Sequence, residues 1–381
     1  MATIKKGILI LTPFFSPNIG GVETHLMDLT SELDHLGYKV FVQTYSPLTT
    51  KIFYKSHQTI GNIDIHRYKW FGSNIFHKLE KLPLFEFIYL TPYLFFKTFF
   101  WLLLNHRHID IIHSHGISAA FIGNILNFFY PRKTHIVSIY SSYSHINSKN
   151  FTFKLIAFIL NRTDHILTQS KISISQLQKI GVNKNKISQY FHWIDTDRFS
   201  PSSPSKLFKQ LKLKKTFTVL FVGRLIPSKG ALLLAKIAAK LPNINFLFIG
   251  TGPIFNQLQK MKKTNKNIYL LGDISYSKLH LYYPLADIFC LPSLYEEGWG
   301  RVLMESLSCK VPVLASNLGA VPEVVDSSVS ILVKPTPNNF YQEILKLKNN
   351  PKLLSDLKNN SRTYALKNFS SKNISHITKY Y

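Results

Sequence analysis

The chain has 381 residues, with 46 Lys and Arg against 20 Asp and Glu, a formal net charge of +26 and a pI near 9.8. This length is sufficient for two domains with separate cores, and the charge calls for nucleic acid, an anionic membrane or an acidic substrate as a partner, unless it only maintains solubility. Because no recognisable nucleic-acid-binding module accompanies the basic residues, we exclude nucleic acid and favour a membrane surface.

The first half of the chain has the pattern of an α/β domain, which we place at residues 1–200. It begins with the continuous apolar run 7–11, typical of a central parallel strand, followed by a glycine loop and helical spacing over 24–36. Further strand-like runs follow at residues 40–44, 109–113, 136–139 and 166–168. No G-x-G-x-x-G motif follows the first run, which argues against a dehydrogenase.

Two features predict a cytoplasmic protein. The N-terminal residues have no secretory-signal pattern and lead directly into the first predicted strand. The two cysteines, Cys290 and Cys309, both fall in apolar runs, which indicates buried thiols in a reducing compartment.

Two aromatic-rich segments, 84–104 and 151–160, lie beside basic residues. The flanking cations are Lys78, Lys81, Arg107, Lys149, Lys154 and Arg162. Glu86, Pro92 and Lys97 interrupt the first segment, so we expect no apolar stretch near the roughly 20 residues that span a bilayer. Two interpretations stand equally: helices inserted into the surface of an anionic membrane, with the cations on lipid headgroups, or core helices of the first domain.

A pair of histidines marks the end of the run 109–113. His113 and His115 are two residues apart and therefore share a face of a strand. A zinc site would need further ligands at suitable spacing, and none is evident, so we predict no metal there. We expect His113 to be a satisfied core histidine and His115, nearer the strand end, to face a ligand cleft.

A linker rich in serine and proline, 200–205, precedes a second domain that we place at residues 201–360. Its strand-like runs are 217–222, 245–249, 268–270, 288–291 and 313–315. Two such sheets would leave a cleft with ligands at the carboxyl ends of their strands. Asp195 and Asp197 form a D-x-D pattern, a metal motif of another fold, but they stand before the linker and we do not predict metal binding.

A basic turn follows the run 217–222. It begins at Gly223 and Arg224 and ends at Lys229 and Gly230. Arg224 offers a planar fork to two phosphate oxygens and Lys229 a mobile point charge, so the two cations are suited to clamping a diphosphate. Without other evidence, it is equally reasonable to interpret Arg224 and Lys229 as ordinary solvated residues of a loop.

Two carboxylates frame a predicted helix N-terminus. Glu297 lies in a glycine loop, whereas Glu305 lies in the apolar helical run 301–309, where a carboxylate is costly without a partner. We predict that Glu297 reaches a sugar and that Glu305 accepts hydrogen bonds from a ribose. Gly298 and Gly300 let backbone and ligand approach closely. The N–H groups predicted to hold a phosphate belong to Trp299, Gly300, Arg301 and Val302.

These residues resemble the family-4 retaining glycosyltransferases, which have the GT-B fold: α/β, with two Rossmann-like domains facing each other across a cleft. The E-x7-E element of that family matches Glu297 and Glu305, and its G-R-x-x-x-x-K-G element matches 223–230. The further matches are 17–25 with Gly20 and Gly21, 110–116 with His115, 250–253 with Gly252, and 319–323. The resemblance covers nearly the whole chain, and 17–25 and 113–115 are similar to the branch that glycosylates phosphatidylinositol.

The resemblance implies the following chemistry. A nucleoside-diphosphate sugar, with UDP-N-acetylglucosamine or GDP-mannose as attractive donors, is the co-substrate, and no metal cofactor is needed. The acceptor is expected to be lipid-linked or another glycan, used at the inner membrane face. Gly20 and Gly21 approach the donor phosphates, Arg224 and Lys229 stabilise the leaving diphosphate, and His115 contacts sugar or acceptor. The last segment, 361–381, is expected to be a helix that packs back on the first domain.

Three departures from the family pattern bear on acceptor identity. Serines and tyrosines follow the strand 135–140 where a His or Asp is common, Ala320 replaces a glycine, and 192–195 reads His-Trp-Ile-Asp instead of Asn-Gly-Val-Asp. Two other functions therefore stay open, a nucleotide-sugar epimerase of the same fold and a non-catalytic subunit that holds a nucleotide sugar or a lipid. The choice between Glu297 as a nucleophile and a front-face attack also stays open, with front-face attack preferred.

Overall fold

The computed structural model describes residues 6–18, 20–48, 52–71, 75–79, 82–140 and 150–381. The chain divides into two compact units, one made of Met1–His192 with Ser371–Tyr381 and the other of Trp193–Ser370. Each unit has a mostly parallel β-sheet with intervening helices, which confirms the predicted α/β class with two Rossmann-like domains.

The first unit contains an eight-stranded sheet. Its strands are β1 (Gly7–Leu11), β2 (Lys39–Tyr45), β3 (His57–Ile60), β4 (Ile63–Tyr68), β5 (Ile111–His115), β6 (Thr134–Ile139), β7 (His165–Thr168) and β8 (Ile187–Gln189). Their order is β3-β4-β2-β1-β5-β6-β7-β8, and β3 pairs antiparallel with β4 whereas the other pairings are parallel. The direction of winding therefore reverses between β1 and β5.

Helices connect these strands. They are α1 (Gly21–His35), α2 (Ile75–Leu79), α3 (Pro83–Leu90), α4 (Pro92–Asn105), α5 (Ile117–Phe129), α6 (Phe151–Leu160) and α7 (Lys171–Lys179). All five residues of β1 are buried, as expected of a central strand that helices cover on both faces.

The second unit contains a six-stranded, wholly parallel sheet in the order β11-β10-β9-β12-β13-β14. The strands are β9 (Thr218–Val222), β10 (Asn245–Ile249), β11 (Ile268–Gly272), β12 (Ile288–Leu291), β13 (Val313–Ser316) and β14 (Ser330–Val333). The helices are α8 (Ser205–Gln210), α9 (Ala231–Lys240), α10 (Phe255–Thr264), α11 (Tyr276–Leu279), α12 (Arg301–Ser308), α13 (Val321–Val324), α14 (Pro337–Asn349) and α15 (Pro351–Asn368). A last short helix, α16 (Ser375–Thr378), belongs to the first unit.

The boundaries of the two units differ from those of the predicted domains. Trp193 and Phe199 are buried, and Arg362 of α15 donates hydrogen bonds to the carbonyls of Thr196 and Phe199, both at 2.8 Å. The segment ahead of the predicted linker therefore packs into the second unit. Helix α15 also stays with that unit, so that Ser371–Tyr381, and not the whole of 361–381, joins the first.

The strand order of the second sheet identifies where a ligand would bind. Winding proceeds outward from β9 to β10 and β11, and then returns to β12 on the other side of β9. In doubly wound sheets, ligands bind beyond the carboxyl ends of the strands at this reversal. The loops that leave β9 and β12 are the basic turn and the Glu297 loop of the sequence analysis.

The cysteines are buried, as predicted. Cys290 lies in β12 and Cys309 follows α12, and both are free thiols. Burial, with a smaller contribution from the Glu305 carboxylate, raises the pKa of Cys309 to about 12.

Three buried histidines belong to the core of the first sheet. His113 lies between the hydroxyls of Tyr381, at 2.6 Å from Nδ1, and Ser138, at 2.8 Å from Nε2. Burial lowers the pKa of His113 well below its usual value, and it lowers the pKa of His115 and of His135 to about 3. All three rings are therefore neutral in the native protein at pH 7.

We predict that the first unit loses stability as the pH falls below about 6.5, the ordinary histidine pKa. Above that pH the imidazoles are neutral in both the folded and the unfolded chain, whereas below it only the unfolded chain takes up these protons, down to the lowered native pKa. Urea unfolding between pH 7.5 and 5 should show the loss, with a shallower pH slope for His135→Gln. Replacing the exposed His35 by Gln is the control, and an equal slope in all three proteins would contradict the prediction.

Candidate functional site

The basic turn after β9 is shaped by a glycine. After Gly223 and the exposed Arg224, residues Pro227–Lys229 form one turn of 3-10 helix. Gly230 then adopts a left-handed φ of 74°, and a Cβ there would lie 1.9 Å from the carbonyl oxygen of Pro292. Glycine therefore lets this turn pack against the end of β12, which places Lys229 beside the Glu297 loop.

Lys229 and Glu297 form the centre of the candidate site. The Lys229 ammonium donates to both carboxylate oxygens of Glu297, at 2.7 and 2.6 Å, and the Ser293 hydroxyl donates to Oε1. Glu297 is only 7% exposed, so its charge depends on these donors. The structure thus brings together two of the predicted residues, with Arg224 on the same turn.

Other glycines of the predicted motifs allow the loops at this edge of the sheet to approach one another closely. A Cβ at Gly250 would lie 2.0 Å from the Gly223 oxygen, and one at Gly252 would lie 2.5 Å from the Leu225 oxygen. Gly319 has a left-handed φ of 58°, and its Cβ would lie 2.3 Å from the backbone oxygen of Glu297. Donor binding by Gly252 stays a prediction, whereas its contact explains why this turn requires glycine.

Helix α12 begins beside the carboxylate cluster. Its N-cap, Gly300, has a left-handed φ of 68° and provides no side-chain cap to the first turn. Gly298 is exposed, and a Cβ on it would have no neighbour within 4 Å among the described residues. The loop therefore has open space at Gly298, ahead of the N-terminus of α12, and binding of a phosphate by the N–H groups from Trp299 to Val302 stays a prediction.

Glu305 lies deeper, in a buried polar cluster. It is 2% exposed, its Oε2 accepts the Tyr283 hydroxyl at 2.7 Å, and its Oε1 lies 3.5 Å from Nε of Arg301. Arg301 also donates to the Tyr276 hydroxyl at 2.7 Å and to the Trp193 carbonyl at 3.3 Å. Burial, followed by the neighbouring Glu305 charge, raises the pKa of Tyr283 well above its usual value. The predicted ribose contact of Glu305 stays a prediction.

In the first unit, His115 stands at the carboxyl end of β5, next to the reversal of its sheet. Its Nδ1 lies 2.7 Å from the Tyr140 hydroxyl, and Nε2 is buried with no hydrogen-bond partner within the described part of the chain. The lowered pKa makes this ring a neutral hydrogen-bonding group and not a cation. The turn after Tyr140, residues 141–149, where serines and tyrosines replace the family His or Asp, lies outside the described residues.

A second aromatic group adjoins His115 and Tyr140. His25 of α1 stacks on His192 with ring centroids 4.0 Å apart, and the Tyr190 hydroxyl lies 3.2 Å from Nε2 of His192. The His25 and Tyr140 rings are 6.1 Å apart. His192, one of the departures from the family pattern, is thus a buried member of this cluster.

The glycines of the first loop start α1. Gly20 is the N-cap, its oxygen accepts from Thr24 N at 3.1 Å, and Gly21 is the first helical residue, where a Cβ would meet nothing within 4 Å among the described residues. Both follow β1, the central strand at the reversal of the sheet. Their predicted approach to donor phosphates stays a prediction.

The D-x-D pattern has a structural role in the described residues. Asp195 Oδ1 accepts hydrogen bonds from the backbone N–H groups of Asp197, at 3.1 Å, and Arg198, at 2.8 Å. The Asp195 side chain therefore closes a local turn, and the absence of metal binding at this pattern stays a prediction.

Four residues that complete these clusters were not predicted from the sequence. They are Ser293, Tyr283, Tyr140 and Tyr190. Ser293 is four residues ahead of Glu297, and this spacing is the one signal that could have suggested it. The tyrosines come from other elements, and nothing in their local sequence distinguishes them from core aromatics.

The aromatic segments of the first unit have one buried and one exposed face. Leu94 and Leu102 of α4 are fully buried, whereas Phe100 is 62% and Leu104 87% exposed. Ring contacts continue this exposed face into α5, where the Phe99 and Phe129 centroids lie 5.4 Å apart. The other exposed apolar residues of α3 to α6 are Leu84, Phe85, Ile88, Phe96, Leu103, Phe128, Phe151 and Phe158. We call these residues, with Phe100, Leu104 and Phe129, the aromatic face.

The apolar helical segment that contains residues 84–104 is longer than the sequence suggested. Helices α3 and α4 and the following turn form Pro83–His108, 26 residues with a mean hydropathy of 1.5 over the most apolar window and 28% of that window buried. We expected no apolar stretch of membrane-spanning length here, and that expectation is wrong: the segment is long and apolar enough, judged by its length and composition alone. The reason is that Pro92 is the first residue of α4 and does not end the helical segment. No other helix among the described residues meets this requirement.

Comparison with known proteins covers both halves of the chain. Residues 19–198 match the family model described as Glycosyltransferase Family 4, and residues 203–364 match the one described as Glycosyl transferases group 1. The GPI3 subunit of phosphatidylinositol N-acetylglucosaminyltransferase from Saccharomyces cerevisiae is 25% identical over 344 residues, which are 86% of this chain and 72% of the relative. A human subunit of phosphatidylinositol N-acetylglucosaminyltransferase is 24% identical over 364 residues, 90% of this chain and 69% of the relative.

Solved structures share the fold. The crystal structure of Anabaena Alr3699/HepE in complex with UDP has a TM-score of 0.78 and 19% identity, and the similarity covers 98% of both chains. Together with the two family matches, this places the two Rossmann-like units in the GT-B class. The chain therefore belongs to the family-4 glycosyltransferases.

Proposed function

We propose that this protein transfers a sugar, N-acetylglucosamine as the first candidate, from a UDP-sugar to a lipid-linked hydroxyl acceptor with retention of anomeric configuration. The observation that carries the proposal is the contact of Lys229 with the buried Glu297 at the reversal of the second sheet, beside the N-terminus of α12. The names of the yeast and human relatives support N-acetylglucosamine and a phosphatidylinositol acceptor, and the UDP bound to the Anabaena protein supports the base.

The second unit would bind the donor diphosphate without a metal ion. Arg224 is exposed on the turn after β9 and can offer two donors, and Lys229 provides a second positive charge on the same turn. The N-terminus of α12 adds backbone donors. These groups lie where negative charge develops as the diphosphate leaves, which is where fixed donors lower the barrier most.

The ion pair suggests how Glu297 and Lys229 divide their roles. The carboxylate is nearly buried and would be destabilised if Lys229 turned away completely, so the ammonium is expected to bridge carboxylate and phosphate when the donor binds. Glu297 is then held in position to accept hydrogen bonds from the sugar hydroxyls. A carboxylate that is paired with a lysine and also accepts a hydrogen bond from Ser293 is a poor nucleophile, and this favours front-face attack.

In that reaction the acceptor oxygen attacks the anomeric carbon on the face that the diphosphate leaves. The bond from the anomeric carbon to the diphosphate oxygen breaks, and the acceptor hydroxyl proton passes to that phosphate oxygen. His115 would hydrogen-bond the sugar or acceptor through Nε2, while Tyr140 fixes the ring through Nδ1. Because its pKa is about 3, His115 acts here as a neutral group at physiological pH.

The acceptor would be reached at the cytoplasmic face of an anionic membrane. The aromatic face of the first unit exposes large apolar side chains together with exposed cations, among them Lys97, Arg107 and Arg162. Such a surface binds at the boundary between headgroups and acyl chains. Because the opposite face of α4 packs in the core of the unit, we propose insertion into the interface and not a transmembrane span.

Replacing the donor-site residues should separate catalysis from folding. We expect Arg224→Ala and Glu297→Gln to lower kcat with UDP-N-acetylglucosamine by about 100-fold, the usual loss when one transition-state contact is removed. Glu343→Gln, which removes an ion pair between the half-buried Glu343 and the exposed Lys346 away from the donor site, is the control and should keep wild-type turnover. The measurement is UDP release with a lipid hydroxyl acceptor, after thermal shift has identified the bound nucleotide sugar.

Product analysis without acceptor and a measurement of donor binding, run beside this assay, distinguish the other functions. Wild-type rates in both variants would remove these residues from the mechanism. A new nucleotide sugar formed without acceptor would identify an epimerase. Donor binding without transfer to any acceptor of a broad panel would identify a non-catalytic subunit.

Membrane binding has its own test. We expect the protein to sediment with phosphatidylserine liposomes at low salt, and Phe100→Glu with Leu104→Glu to reduce the bound fraction several-fold, because two charges would enter the apolar layer. Met27→Glu, at an exposed position of α1, introduces a charge outside the aromatic face and should bind as wild type does. Wild-type protein that stays in the supernatant would contradict the proposal.

A further inference from the structure

An edge of the first sheet gathers two histidines and an aspartate. In the β3–β4 hairpin, His57 is directly opposite His66, and Asp64 is two residues from His66 on the same strand. The neighbouring pair, Ser56 and Arg67, is hydrogen-bonded through Arg67 N and Ser56 O at 2.7 Å. Because hydrogen-bonded and non-hydrogen-bonded pairs alternate, His57 and His66 form a non-hydrogen-bonded pair, in which side chains are closer. The three side chains therefore share one face.

Their ligand atoms converge. Nε2 of His57 lies 2.5 Å from Oδ1 of Asp64, and Nε2 of His66 lies 3.3 Å from Oδ2. The two imidazole centroids are 4.5 Å apart, and all of the candidate ligand atoms lie within 4.8 Å of one another. In a tetrahedral zinc site with bonds of about 2.0–2.1 Å, the ligand atoms are about 3.3 Å apart, so small side-chain rotations would open this cluster around an ion.

We propose that the β3–β4 hairpin binds one zinc ion through Nε2 of His57, Nε2 of His66 and a carboxylate oxygen of Asp64. Two imidazoles and one carboxylate are a ligand set that zinc accepts, with water or another small ligand in the fourth position. The side chains of His57, Asp64 and His66 are 56%, 25% and 25% exposed, so an ion can enter from solvent. The carboxylate supplies the negative charge that a cation needs on this strongly basic chain.

The fold gives such a site a structural purpose. β3 is the edge strand of the sheet, is four residues long and pairs only with β4 in the described sheet order. A zinc ion ligated from both strands would hold the edge in register. The Trp101 ring lies 5.9 Å from His66 and restricts its movement from the α4 side. The site lies in the first unit and is separate from the proposed donor site in the second, whose chemistry is expected to need no metal.

Isothermal titration of the untagged, metal-free full chain with zinc chloride tests this proposal. We expect one zinc per chain and a higher melting temperature with zinc. His57→Ala, His66→Ala and Asp64→Ala should each weaken binding by more than about 100-fold, since even changes to residues that only orient metal ligands cost about 10- to 100-fold. Cobalt binding gives a second readout, because tetrahedral cobalt absorbs visible light strongly and octahedral cobalt does not.

The matched control removes two exposed histidines elsewhere in the same unit, His35→Ala with His108→Ala, and should bind zinc as the wild type does. No zinc uptake by the wild type, or uptake that the three ligand substitutions leave unchanged, would overturn the proposal. In the first case the cluster is only a hydrogen-bonded His-Asp-His group. If a variant is poorly folded by circular dichroism, His57→Gln provides the comparison, because His57 is the most exposed ligand.

Discussion

The candidate site depends on keeping the Glu297 carboxylate charged in a nearly closed environment. An unpaired carboxylate at 7% exposure would be strongly destabilising, and Lys229 can reach it only because β9 and β12 are neighbours in the sheet. The same adjacency brings the turn after β9 against Pro292, a close approach that Gly230 permits. One ion pair therefore ties together the strand order, a glycine and the approach of two loops that lie far apart in the sequence.

The buried carboxylates of the second unit are stabilised in their charged form, whereas the buried histidines of the first unit are neutral. In the second unit, Glu297 and Glu305 each lie beside a cation, which stabilises the charged form of the carboxylate. In the first, His113, His115 and His135 are buried beside hydroxyls and an amide, and their lowered pKa values keep them neutral. In the proposed function the two charged carboxylates accept hydrogen bonds from hydroxyl groups, the cations Arg224 and Lys229 face the diphosphate, and the neutral His115 contacts the sugar or the acceptor.

Local sequence predicted the features that local physics determines. The parallel strands and their terminal loops follow from apolar runs ending in glycine turns. Contacts between distant elements were not predictable in this way, such as the Tyr283 hydroxyl on Glu305 or the burial of Trp193 and Phe199 that shifts the unit boundary. For the aromatic segments, one face of the helices packs in the core, whereas insertion of the exposed face into a membrane stays a proposal. Apolar residues lie on both the buried and the exposed face of α4, so periodicity could not separate core from surface.

The excess positive charge is larger than binding a sugar nucleotide requires. Two cations beside one helix N-terminus are enough for a diphosphate, whereas the chain carries a formal net charge of +26. Some of these cations already contact exposed rings, since the Arg162 guanidinium lies 3.5 Å from the centroid of the Phe158 ring. At an anionic bilayer the same combination is favourable, because the rings enter the acyl boundary while each cation near the surface contributes about 1 kcal/mol with anionic headgroups. The lipid-linked acceptor that we propose would therefore account for both the charge and the aromatic face.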